Sequence, residues 1–315
     1  MKVRCQYELP QDKQKLLKKA KTLEWWTIFF LLTITVVMYF ALGSSQAMKT
    51  AWIEDVLSMI PPIVFLIAMH FSGKPPTEQF PYGHHRTMML SFMVAAVAVL
   101  VVGLYLLYGA IATLLKGHHP TLNHISLFGW YVWSGWVMIA ALIYSVIPPF
   151  ILGRMKLPLA KDLHEKTLHA DAAMNKADWM TGGAAVLGIL GIGLGWWWAD
   201  AAAAAFISLS VIKDGFTNTK RAMVDLMDSR PTDAASDKPL DLAQRIREKL
   251  LGFPDVEDAA ARLREDGHVI SGEVFVVLNT DKPIAARLET LAEQATAIDW
   301  RLYSLTIMPV ESIER

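Results

Sequence analysis

The chain has 315 residues, 53% of them hydrophobic and 19% charged, and its 30 basic and 30 acidic residues leave no net charge. That balance offers no electrostatic footprint for a nucleic-acid partner, and a single cysteine, Cys5, excludes a disulfide framework or a Cys-based metal or redox site. Length alone suggests about two domains, but the apolar residues gather in long uncharged runs before residue 215, and the C-terminal remainder reads as an ordinary soluble domain.

The first 24 residues are polar and lack a cleavable signal, so residues 1–24 are expected to form a cytoplasmic segment ahead of an uncleaved first span. A bilayer span takes roughly 20 mostly apolar residues. Six candidates occur in order, at about 25–43, 50–71, 88–115, 127–152, 172–197 and 199–216, giving a transmembrane domain over 25–230. Basic residues fall in alternate connections: Lys13 to Lys21, then Lys74 and Arg86, then Arg154, Lys156, Lys161 and Lys166, then Lys220 and Arg221. The opposite connections carry Lys49 and Lys116. Because positive loops stay inside, both termini are expected in the cytoplasm. Trp130, Trp133, Trp136 and the triplet 196–198 read as anchors near the outer interface.

Residues 231–315 have a different pattern. An amphipathic helix over 241–253 is followed by a strand near 256–264, an alternating strand over 268–279, a helix over 284–296 and a strand over 300–310. The order α-β-β-α-β predicts a small two-layer, ferredoxin-like α+β domain.

Two spans contain charges that hydrocarbon penalises by about 2.5–3.5 kcal/mol each at a helix centre. Glu54 and Asp55 lie in the second span, and Asp171, Lys176 and Asp178 at the head of the fifth. Asp171 and Asp178 are seven residues apart, which is two helical turns or about 10 Å along one face. Met174 falls between them and Asn175 one step off, while Lys176 points elsewhere and can snorkel to the interface. Carboxylates meeting between helices suit a hard or borderline divalent cation. The same oxygens equally suit proton relay. Internal ion pairing is the plainer reading for Glu54, Lys176 and His169. Small residues at Ala184, Gly188, Gly191 and Gly195 let the fifth span approach a neighbour closely.

Three stretches carry a resemblance. FPYGHHR (80–86), IEDVLS (53–58) and ADAAMNKAD (170–178), together with six spans and the C-terminal α+β domain, resemble the cation diffusion facilitator family over essentially the whole chain. The resemblance implies a homodimer in the plasma (inner) membrane. It also implies export of a divalent metal of the Zn, Fe, Mn, Co or Ni class in exchange for protons, and a dimerisation or regulatory role for residues 231–315. The metal is then cargo, and no resident cofactor is implied.

Carried over position by position, Asp55 falls on the second carboxylate of span two and Asp178 on the second ligand of span five. The first ligand positions are Ala51, which cannot coordinate, and Met174, whose thioether favours soft ions. Glu54, Asn175 and Asp171 are neighbours able to compensate. His84 is the loop histidine, whereas the other loop positions are Thr77 and Phe80. In the cytoplasmic domain only His268 is a candidate, which argues against structural metal there. Arg86 and Asp228 match a charge pair that joins the membrane and cytoplasmic parts, and the resemblance implies that they hold the dimer hinge. The function this supports is secondary transport of a divalent metal. The alternative is a non-transporting relative with a degenerate site, acting as a dimeric assembly or regulatory protein. No nucleophile–base pair suggests an enzyme.

Overall fold

The structure, a computed structural model, describes residues 7, 9–117, 124–127, 130–234, 238–279 and 284–314, and excludes the side chains of 124–127, 130–131, 173–174 and 176–179. The N-terminal part is helical: α1 (Gln11–Ala41), α2 (Gln46–Leu57), α3 (Ile60–Ser72), α4 (Thr87–Leu115), a hairpin of β1 (His124–Leu127) and β2 (Trp130–Trp133), then α5 (Ser134–Leu163), α6 (Lys166–Gly193) and α7 (Ala199–Leu226). Large apolar side chains such as Phe40, Leu90, Val94, Tyr105 and Leu187 cover the outside of the helices. An outward apolar surface of this extent suits lipid, not water.

Several features differ from the sequence expectation. The second apolar run is two helices, interrupted at Ser58 and Met59 because Pro61 and Pro62 open α3. Proline at those positions has no amide to continue the preceding ladder. Residues 127–133, read as the start of a span, belong largely to an antiparallel hairpin in which His124 pairs with Trp133, and α5 begins only at Ser134. At its other end α5 continues to Leu163, so Lys156 is a helical residue and not part of a loop.

Among the described residues, four helical runs are long and apolar enough to cross a membrane: α1, the α2–α3 pair, α4 and α5. Among the described residues of α6 the apolar stretch is Met180–Gly193, and Asp171, Lys176 and Asp178 lie in the first half of the helix. Lys213 and Asp214 lie within α7. The small residues of α6 do allow close approach, and the helix approached is α7: a Cβ at Gly188 would meet Ala203 at 2.8 Å, and one at Gly191 would meet Ala199. Gly195 stands instead in the turn after α6 at φ +87° with open space around it.

The C-terminal part has the expected order. It comprises α8 (Leu242–Leu251), β3 (Val256–Asp266), β4 (Val269–Leu278), α9 (Ile284–Thr296) and β5 (Leu302–Pro309). The sheet order is β3-β4-β5, with β3–β4 antiparallel and β4–β5 parallel. Helix α9 supplies the crossover that a parallel pair requires. Leu242, Ile246 and Leu250, spaced by four along α8, pack on Val274 and Val276 of β4, Leu291 of α9 and Leu305 of β5. Each such side chain contributes roughly 1.5–3 kcal/mol by leaving water.

The two parts meet through the β3–β4 turn. Gly267, at φ +76°, lies so close to the start of α4 that a Cβ there would reach the His85 carbonyl at 3.0 Å. His268, expected on a strand, sits in this turn beside it. The N-terminal segment ties the same junction. Tyr7 donates to the Trp300 carbonyl at 2.9 Å, and Lys13 donates to the Asp162 carbonyl while lying 5.3 Å from the Trp300 ring centre.

Candidate functional site

Helix α2 carries Glu54 and Asp55, and its first turn is fixed from another helix. Ser45 is the N-cap and accepts from the Met48 amide at 3.0 Å. Ser45 Oγ in turn donates to Asp200 Oδ1 at 2.5 Å. The Gln46 and Ala47 amides donate to the same carboxylate at 2.5 and 3.1 Å. Asp200, buried in the first turn of α7, thus neutralises the donor-rich end of α2. Sequence reasoning misses this residue. Its only signal is an acid placed between a tryptophan triplet and a run of alanines. A further tie, from Trp52 Nε1 to the Thr35 carbonyl at 2.9 Å, holds α2 to α1.

Three turns into this anchored helix, Asp55 and Glu54 reach a small cavity where α2, α5 and α6 meet, with Ala51, Ser145, Thr181 and Gly182 also in its wall. Its volume, about 10 Å³, is close to the least that holds one water-sized occupant. Pro149 has no amide with which to close the helix bond to the Ser145 carbonyl, so α5 is locally loosened beside the cavity. Ala51, where the resemblance implies a carboxylate, presents a buried methyl group. On α6, Thr181 and Gly182 lie one turn beyond Asp178. The helix carries Met174 and Asp178, but their side chains lie outside the described residues, as does that of Lys176. Among the described residues, no group of three His, Cys, Asp or Glu side chains is close enough to hold a metal.

Asp171 and Asn175 belong to a second cluster. Lys156, fully buried on α5, donates to Glu24 Oε2 of α1 at 2.9 Å and to Asp171 Oδ2 of α6 at 2.5 Å. Asn175 Nδ2 donates to the same Asp171 oxygen at 3.4 Å. Neither Glu24 nor Lys156 stands out in the sequence as a site residue, since their pairing spans 132 positions.

At the junction of the two parts, Arg86 Nη2 donates to Asp228 Oδ1, and its Nε donates to Asp266 at 2.7 Å. The Arg86–Asp228 contact therefore exists, with Asp266 as a second partner that the sequence did not suggest. The His84 ring lies tilted against Phe80, with ring centres 4.6 Å apart, and Thr77 Oγ1 accepts from the Phe80 amide. Deeper in, Lys166 bridges Asp225 at 3.0 Å and Glu265 at 2.8 Å. His164 Nε2 stands 3.4 Å from Glu265, and His268 Nδ1 stands 3.5 Å from Glu165.

Burial, and then the nearby charge of Glu265, pushes Glu165 up to about 8. Burial likewise, helped by His85 and His164, lowers His268 to about 3. Glu265 is also pulled upward by burial, but hydrogen bonding to His164 and the charge and hydrogen bond of Lys166 outweigh that and hold it below the usual value.

Comparison with known proteins agrees with this architecture. Residues 25–227 match a family model described as the cation efflux transmembrane domain. The chain is 26% identical to the manganese efflux system protein MneS of Bacillus subtilis, over 81% of this chain and 84% of that one. It is 26% identical to MneP of the same organism, over 79% and 80% of the two chains. It is also similar to the magnetosome protein MamM of Magnetospirillum gryphiswaldense, at 28% identity over 65% and 61%.

Proposed function

Because the chain belongs to the cation efflux family, we propose that it exports a divalent metal cation from the cytoplasm through a site formed by Asp55 and Asp178, in exchange for protons. The observation that carries this reading is the position of Asp55, at a cavity of one-ion size where α2, α5 and α6 meet. Asp178 stands one turn before Thr181 and Gly182 of the same wall. In this reading six helical units cross the bilayer: α1, α2–α3, α4, α5, α6 and α7. Asp171 and Asn175, in the polar half of α6, are buried, and both termini are cytoplasmic. The protein works as a homodimer in the plasma membrane. The Arg86–Asp228 contact is the hinge between the membrane and cytoplasmic parts.

Asp55 and Asp178 offer hard oxygen donors, Ala51 offers none, and water completes the shell. Oxygen-rich, incompletely protein-bound coordination suits Mn²⁺ better than a soft ion. The relatives named as manganese efflux proteins make Mn²⁺ the first ion to test.

The test is flux into proteoliposomes with an imposed pH gradient, comparing Mn, Zn, Fe, Co, Ni and Cd. Uptake that collapses in Asp55→Ala and in Asp178→Ala supports the reading. No flux for any ion, or flux indifferent to both substitutions, overturns it. The methyl group of Ala51 in the cavity wall favours one other reading, a non-transporting dimeric partner with a degenerate site. That reading predicts no flux together with a stable dimer.

A further inference from the structure

With both carboxylates ionised, the Glu24–Lys156–Asp171–Asn175 cluster is one positive charge short among the described residues. Two carboxylates face one ammonium, and all four side chains are buried: Glu24 and Lys156 at 0% exposure, Asn175 at 1% and Asp171 at 2%. An uncompensated charge in so dry a setting is costly. Two acceptor atoms there also have no hydrogen-bond donor among the described residues, Glu24 Oε1 and Asn175 Oδ1. The first belongs to the carboxylate whose other oxygen holds Lys156. The second belongs to the amide whose nitrogen holds Asp171. A purely structural ion pair between α1, α5 and α6 would need neither the second carboxylate nor the two idle oxygens.

Charge counting identifies the class of occupant that would complete the cluster. With both carboxylates ionised and Lys156 in place the net charge is −1; a proton on one carboxyl neutralises the cluster while Lys156 stays bound, whereas a second monovalent metal ion would have to crowd beside the ammonium. With the ammonium withdrawn, one divalent cation neutralises both carboxylates. It would find hard oxygen donors from Glu24, Asp171 and the Asn175 amide, the ligand set that suits Mn²⁺ or Mg²⁺. Lysine is suited to such an exchange, since its charge is a compact group on a flexible four-carbon stem.

We propose that Lys156 is a resident cation holding shut a divalent-metal site built from Glu24, Asp171 and Asn175, two turns from Asp178 on α6. An incoming ion displaces the ammonium and so unties α1 from α5 and α6. The proposal takes its cargo from the transport reading, but the site is defined by binding.

The full chain in detergent is titrated with Mn²⁺, and bound ions are counted by loss of the free-ion EPR signal. In an Asp55→Ala background, which removes the proposed transport site, Lys156→Met is expected to add one bound Mn²⁺ per chain. A further Glu24→Gln should remove that ion. A folded Lys156→Met chain with no added ion, or an added ion that survives Glu24→Gln, overturns the proposal. Amine acylation read by mass spectrometry tests the native chain without mutation. Lys156 should be unreactive alone and become acylated at Mn²⁺ concentrations that saturate binding; continued protection there also overturns it. Absence of flux in liposomes would sink the transport reading and leave these binding counts unchanged.

Discussion

Asp200 and Ser45 form a buried hydrogen bond of 2.5 Å that joins the first turn of α7 to the N-cap of α2. The same carboxylate accepts from the Gln46 and Ala47 amides, so removing it strands donors at a helix end that water does not reach. Asp200→Ala is expected to destabilise the helical part by about 3 kcal/mol, read as a lowered thermal midpoint in detergent. Metal affinity should fall as well, because α2 carries Asp55 from that anchored turn. Ser45→Ala should cost less, about 1 kcal/mol, because the two amides keep the carboxylate. Equal effects of the two substitutions would contradict this ranking.

Arg86 bridges Asp228 of the segment after α7 and Asp266 of the β3–β4 turn. The Arg86 and Asp228 side chains are about half exposed, so the pair contributes only about 0–1 kcal/mol to stability. Arg86→Ala should therefore barely move the thermal midpoint. It should instead loosen the junction, seen as faster amide hydrogen exchange in residues 264–269. Arg86→Lys should restore little, since a single ammonium cannot reproduce the planar fork that holds two carboxylates. Unchanged exchange in Arg86→Ala would remove the pair from any coupling role.

The C-terminal part was legible almost residue by residue, because its core uses local periodicities. Leu242, Ile246 and Leu250 repeat every fourth residue, and Val274 and Val276 alternate along β4. The membrane part was legible as apolar mass but not as geometry. Nothing in uniform hydrophobicity marks the break at Ser58, the hairpin before Ser134 or the extension of α5 to Leu163. At the candidate site, Asp55 was visible because a lone acid in an apolar run demands a reason. Glu24, Lys156 and Asp200 were not, because each finds its partner on a distant helix. Lys156 in particular read as one more positive-inside lysine.

The junction should respond to pH through Glu165 and His268, which stand 3.5 Å apart. They are faced by His85 and Tyr7, by His164 with its partner Arg301, and by Glu265, which Lys166 holds. Docked, Glu165 titrates near 8 instead of 4.5, and a raised value stabilises docking at low pH and loses that stability as pH rises through 8. Docked, His268 titrates near 3 instead of 6.5, and a lowered value stabilises docking above 6.5 and loses that stability as pH falls. Between these limits the docked and undocked states hold the same number of protons on this pair, so docking is level from about 4.5 to 6.5. Above 6.5 the docked state keeps one proton that the undocked state has released. Docking then weakens by about 2 kcal/mol up to pH 8. Distances between spin labels on α4 and β5 should lengthen over that range in the native chain. In Glu165→Gln, which carries no titrating carboxyl there, they should stay constant; an unchanged response in that variant would assign the effect elsewhere.

Ala51 gives the most direct check on where the metal sits. Its buried methyl group lines the same cavity as Asp55, one turn earlier on the same face of α2. In Ala51→Asp, a third carboxylate joins Glu54 and Asp55 in the wall of a space of about 10 Å³. Without metal, repulsion and desolvation should destabilise the chain by about 2 kcal/mol. A divalent ion turns that repulsion into chelation, and binding to the folded state alone raises its stability. The thermal midpoint of Ala51→Asp should therefore start below native and rise further on adding Mn²⁺ or Zn²⁺ than the native midpoint does. The two ions should also rank differently from native, because the added oxygen donor replaces water in the coordination shell. If metal shifts both chains equally, the cavity beside Asp55 is not where the ion binds. The ion would then sit further along α6, at Asp171 and its lysine.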